Sequence, residues 1–329
     1  RRVSMFADLH CHFFPAAAAS GAGTSIDLTL AGDVWRMSTG GASTTLDPGL
    51  LDLEWRLAEM RRQGVGRRAL AIPPFLLQYR LPAAEGVRWA RAINDGIAEA
   101  IAPYSEQLAG FATVSLQDVP AAVAELERAV TELGFRGVEI ATIIAGVELD
   151  DPALEPFWDA AQRLGTPILV HPHDVAGVDR MGDYYLRNLV GNPVETAIAG
   201  ARLLFGGVLE RFPALAVILS HGGGALPHLI GRLRHGYGVR PEARARASEP
   251  IEQLRRLYYD TIVFDAGVLR HLVETVGASQ VVLGTDSPFD MAEPDPVAFV
   301  RGAGLASSDV ESILANGEAL LGRAAGSTR

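Results

Sequence analysis

Short apolar runs recur along the chain, and between them apolar residues return every three or four positions. The runs are VSMFADLH (3–10), RALAIPP (68–74), LAGFATVSL (108–116), GVEIATII (137–144), PILVHP (167–172), AVILSHG (216–222), LYYDTIVF (257–264) and VVLGTD (281–286). They are continuous and mostly β-branched, as expected of parallel strands buried on both faces. Val123, Leu126, Val130 and Leu133 make one apolar face of a helix over 119–133, with Asp118 as its cap and Gly134 as its stop. Asp151-Pro152 opens a second helix over 152–164, and Gly165 follows it. Eight strands alternating with helices predict a closed α/β barrel of the (β/α)8 kind. An open doubly wound sheet is the alternative fold.

Residues 16–46 break the rhythm. They are rich in Gly, Ser, Thr and Ala and read as a long excursion after the first strand; such insertions serve as functional lids or stay disordered. The stretch 307–321 reads as a final helix. No internal repeat or low-complexity linker divides the chain, so residues 1–329 are expected to form one domain.

Composition narrows the classes. Hydrophobic residues make up 48% of 329, ample for a large core. No apolar run approaches the ~20 residues of a membrane span. The opening RRVSMFADLH has no apolar h-region, so export is not expected. A net charge of -10 argues against a nucleic-acid partner. The basic run RPEARAR (240–246) reads by itself as a solvated helix face. The single cysteine, Cys11, allows no internal disulfide and fits a reducing cytoplasm. All 29 basic residues are arginine. The missing lysine excludes Schiff-base chemistry, a Walker-type phosphate loop and a carboxylated lysine bridging two metals.

The barrel expectation makes polar residues at strand ends informative, because active sites gather at the C-terminal ends of such strands. The first strand ends in His10 and His12, two residues apart and therefore on one face. Cys11 points the other way. The fifth strand ends in His171, the sixth in His221 before three glycines, and the eighth in Asp286. Each group alone reads as a satisfied hydrogen-bonder. Five at four strand ends would each need a separate partner, which packing does not readily supply. Three imidazoles and a carboxylate suit Zn2+ or a similar divalent ion with a position open to water or substrate. His10, His12, His171 and Asp286 are the expected ligands, leaving His221 as general acid/base. Asp8 either orients an imidazole or is a buried carboxylate bonded to backbone.

The segments DLHCH, VHPHD, SHGGG and GTDSPF resemble the metal-dependent amidohydrolase superfamily. The order of GFRGVEI, LVGNPVET, FGGVLERFP and SHGGGALPHLIGRLRHGY resembles its decarboxylase branch, typified by aminocarboxymuconate semialdehyde decarboxylase. The resemblance implies one Zn2+ per chain on His10, His12, His171 and Asp286, with His221 as the catalytic acid/base. It makes Arg36 a substrate-carboxylate arginine, Phe289 a pocket aromatic, and Arg232 an arginine inserted into the neighbouring subunit's site, hence a homodimer. Three positions depart from the branch: His173 and Asn188 stand where tryptophans are usual, and Leu30 where a lysine is. His173 and Asn188 are therefore expected to contact an altered small-molecule carboxylate substrate, with a weak extra metal ligand as the alternative role for His173. The implied activity is non-oxidative decarboxylation of an unsaturated or aromatic carboxylate. A lactone, amide or ester hydrolase, or a hydratase, using the same five residues is the alternative.

Overall fold

The computed structural model describes residues 6–323 except Asp33, Gly40 and Gly41. Residues 3–5 of the first predicted strand lie outside the described residues. Eight parallel strands form one sheet in chain order: β1 (Ala7–His12), β2 (Arg67–Ala71), β3 (Leu108–Ala112), β4 (Gly137–Ala141), β5 (Ile168–His171), β6 (Val217–Leu219), β7 (Tyr258–Asp260) and β8 (Val281–Val282). The backbone N–H of Leu9 donates to the Leu283 carbonyl at 2.9 Å and His12 N–H to the Ser287 carbonyl at 2.8 Å, which joins the last strand to the first. The sheet is thus the expected barrel, not an open one.

The strands are shorter than the apolar runs that announce them. After β6 and β8 the chain leaves the ladder so that His221 and Asp286 adopt left-handed backbone conformations, with φ of 56° and 60°. Such conformations cost non-glycine residues energy and cluster at functional sites.

Burial is layered as a barrel requires. Leu9, Ala69, Ala71, Phe111, Leu169, Ile218 and Val282 pack together inside, joined by Leu320 and Leu321 of the final helix, Ser307–Arg323. Leu70, Val138, Ile140, Val170 and Leu219 belong to the larger outer cluster with Trp89, Leu126, Phe157 and Leu203 from the helices. Helix Val119–Thr131 is capped by Asp118, whose side chain accepts from Ala121 N–H at 3.1 Å. Helix Glu155–Leu164 follows a short turn opened by Asp151 and ends on Gly165 at φ 62°.

The excursion carries structure of its own. A short helix, Ala16–Ser20, precedes an antiparallel sheet of Asp27–Ala31, Val34–Thr39 and Ala42–Thr45. Its polar strands hide the usual apolar signal; Leu28 and Met37, opposite each other, are its buried pair. Among the described residues, no helix is long and apolar enough to cross a membrane.

Candidate active site

His10 and His12 are fully buried at the end of β1, and a register shift between Asp8 and Cys11 separates them from the lower strand. That shift bears on Asp8. Its carboxylate accepts from Arg68 Nε at 2.8 Å, Thr285 Oγ1 at 2.6 Å and the backbone N–H of His10 at 3.1 Å. Asp8 therefore braces backbone and a buried guanidinium; of its two expected roles, the buried carboxylate bonded to backbone is met and the orienting of an imidazole is not.

The imidazoles are oriented by other groups. His10 Nδ1 bonds Asp260 Oδ2 at 2.6 Å, His12 Nδ1 bonds the Ile72 carbonyl at 2.9 Å, and His171 Nδ1 bonds the Pro172 carbonyl at 2.8 Å. Each contact leaves Nε2 for the barrel mouth. Ring centroids of His10, His12 and His171 stand 4.9–5.3 Å apart, and His171 lies 5.0 Å from His221. Asp286 occupies the middle: Oδ1 is 3.0 Å from His12 Nε2 and 3.5 Å from His10 Nε2, and Oδ2 is 3.4 Å from His221 Nε2.

Two buried atoms test whether a cation fits. His10 Nε2 and His171 Nε2 are enclosed without a hydrogen-bond partner, an arrangement that is costly unless something else binds there. One ligand atom each from His10, His171, His221 and Asp286 lie within 4.8 Å of one another. The residues present fit a metal ion. This group contains His221 and leaves out His12, whereas the sequence expectation has the reverse; both histidines adjoin Asp286, His12 the more closely.

Burial and the Asp260 and Asp286 carboxylates set the charge of the site. Burial lowers the pKa of His12, and that of His171 well below the imidazole range, favouring the neutral form that binds metals. Burial alone would raise Asp286, but the adjacent His10, His12 and His221 imidazoles hold it well below the usual carboxylate range. For His10, burial is likewise opposed, and the Asp260 and Asp286 carboxylates push it up to about 10.

Two acidic residues escaped the sequence reading. Asp260, at the end of β7, accepts from His10 Nδ1 and from the backbone N–H of His221 (2.9 Å), Gly222 (2.9 Å) and Ile262 (3.0 Å). It ties a candidate ligand to the turn that carries His221. In the sequence it lies inside the run LYYDTIVF, four residues before its end. Glu139, in β4, is fully buried with neither carboxylate oxygen bonded, and burial raises its pKa well above the carboxylate range.

The glycines after His221 serve the backbone. Gly222 and Gly224 have φ of 62° and 58°, and a Cβ there would sit 2.4 Å from Val263 Cγ1 and 2.2 Å from the Pro193 carbonyl oxygen. They make a close turn, and both also line a cavity.

Two cavities flank Asp286. The larger, of about 570 Å³, is lined by His171, His173, Arg187, Asn188, Phe289 and Met291 among others. The smaller, of about 260 Å³, includes His221, Asn188, His228, Phe264 and Met291. His173, Asn188 and Phe289 thus reach the site, and the Phe289 ring lies 5.2 Å from that of His12. Arg36 is brought to neither cavity. Strand alternation places it opposite exposed Thr29 and Thr45, on the solvent face away from Met37. Leu30 is 56% exposed on the same small sheet. Arg232 is exposed on helix Ile230–Val239.

The amidohydrolase family pattern matches residues 7–319. A 2-amino-3-carboxymuconate-6-semialdehyde decarboxylase from Dictyostelium discoideum is 32% identical over 96% of this chain and 91% of its own length. The crystal structure of a 2,6-dihydroxybenzoate decarboxylase complexed with 2,6-dihydroxybenzoate superposes with a TM-score of 0.82 at 26% identity, covering 97% of this chain and 99% of that one. A dihydroxybenzoic acid decarboxylase from Polaromonas, solved with bound manganese and an inhibitor, shares the fold with a TM-score of 0.80 at 23% identity over 97% of each chain.

Proposed function

The chain belongs to the amidohydrolase family, and from that premise we propose a metal-dependent, non-oxidative decarboxylase acting on an unsaturated or aromatic carboxylate. The observation that carries the reading is the pair of orphaned, inward-facing Nε2 atoms of His10 and His171 beside Asp286, with His171 and Asp286 at the wall of a cavity of about 570 Å³. His10, His12, His171 and Asp286 would hold one divalent ion. Zn2+ suits three imidazoles and a carboxylate, and the manganese in the Polaromonas relative makes that ion the alternative. Such an ion supplies a Lewis acid that polarises a substrate oxygen.

The chain's own groups do the rest. Phe289, Phe75, Met181 and Met291 give the larger cavity apolar walls for a conjugated body. When the carbon–carbon bond to the carboxylate breaks, the electron pair stays on the substrate carbon and a proton must replace CO2. His221, at the wall of the smaller cavity that Asp286 also lines, would deliver it. Its side chain is 16% exposed and lines a cavity, while the His12 side chain is fully enclosed. This difference supports His12 as ligand and His221 as acid/base.

Release of CO2 from unsaturated and aromatic carboxylates by metal-loaded protein tests the reading. A product that gains water and retains its carboxylate would favour a hydrolase or hydratase. His221→Asn is expected to keep its metal and lose roughly 10²-fold or more of turnover, as removal of a general acid/base does. Loss of metal in that variant, by elemental analysis, would make His221 a ligand.

A homodimer with a shared site completes the proposal, in the cytoplasm that the lone, buried Cys11 suits. Exposed Arg232 makes no ion pair among the described residues and would reach the neighbouring subunit's substrate. Mixing inactive His221→Asn and Arg232→Ala chains should restore activity, because one hybrid site has both groups. No rescue from verified heterodimers would refute the shared site.

A further inference from the structure

The wall of the larger cavity that departs most from its branch carries a cation. Arg187 begins the turn Arg187–Gly191 and lines this cavity together with His173 and Asn188. Its Nη2 donates to the His173 carbonyl at 2.9 Å. That contact uses a single donor of a guanidinium with five. Among the described residues no carboxylate lies within ion-pair distance of Arg187, although Asp290 and Asp286 line the same cavity. The neighbouring Arg80 is different: it pairs with Asp174 at 3.0 Å on the surface.

His173 completes the wall. Its imidazole offers a ring nitrogen for a hydrogen bond. The Asn188 amide adds donors and an acceptor. The same cavity is also lined by His171 and Asp286 of the candidate metal centre.

We propose that Arg187, with His173 and Asn188 beside it, forms an anion subsite that holds a second carboxylate of the substrate, distinct from the one that reacts. The inference rests on the decarboxylase reading for the reacting end. Arg187 is then the residue that selects diacids, since a guanidinium grips a carboxylate through two parallel hydrogen bonds. Arg36, on the solvent face of the small sheet, does not offer this contact.

The test uses zinc-loaded protein and two unreactive probes, isophthalate and benzoate, with dissociation constants from calorimetry. Wild type should bind isophthalate at least about 10-fold more tightly than benzoate, the lower range for a hydrogen bond to a charged group. Arg187→Gln should bring the two within about twofold by weakening isophthalate alone, and Arg187→Lys should fall between. Isophthalate no tighter than benzoate in wild type, or an unchanged ratio in Arg187→Gln, overturns the subsite. CO2 release from salicylate, measured on the same samples, tests the reaction separately, because salicylate has no second carboxylate.

Discussion

His171→Ala is expected to abolish activity and to strip most of the metal. His171 holds its ring by one bond, from Nδ1 to the Pro172 carbonyl, and presents an unpartnered Nε2 to the site. Nothing else on β5 replaces that donor. His173, two residues on, lines the cavity wall and lies outside the cluster of ligand atoms. The loss in metal affinity should exceed the roughly 100-fold upper range for residues that only support a ligand. Fold is expected to survive, because the deleted ring is central to the site and peripheral to both apolar clusters. Elemental analysis with circular dichroism checks both parts; a folded variant with full metal occupancy would remove His171 from the ligand set.

Asp260→Asn should produce the next largest loss, through a residue that need not touch substrate. The carboxylate accepts four hydrogen bonds, from His10 Nδ1 and the backbone of His221, Gly222 and Ile262. An amide replaces one accepting oxygen with a donor, so at least one buried N–H faces another N–H. An unsatisfied buried group costs about 1–3 kcal/mol. Removing a carboxylate behind a metal-binding histidine costs about 10–100-fold in metal affinity or activity. Asp260→Asn should therefore melt earlier, bind metal more weakly and turn over more slowly, all three together. Calorimetric metal titration beside a thermal melt checks this. Unchanged affinity with a lowered melting temperature would reduce Asp260 to a packing role.

The barrel was legible because buried parallel strands are uninterrupted apolar runs, and eight of them alternated with helices. The candidate site was legible because His10, His12, His171, His221 and Asp286 are strand-end polar groups with no packing reason to converge. Asp260 was missed inside LYYDTIVF, where a lone acid in a long apolar run gives no hint that the strand stops there; β7 ends at this residue. Asp8 shares spacing with His10 and His12, but the irregularity between Asp8 and Cys11 breaks the two-residue period. Arg36 was placed by resemblance of its segment, and the face it occupies is decided by the pairing of Leu28 with Met37, which alternation within 34–39 alone does not fix. The small sheet escaped because its strands bury little.

The most direct measurement is the fate of isotopes during turnover. Metal-loaded protein is given an unsaturated or aromatic carboxylate in D2O enriched with 18O. The account predicts CO2 in equal amount to product, one deuterium on the carbon that bore the carboxylate, and no 18O in the organic product. Organic 18O, with the carboxylate retained, would contradict it.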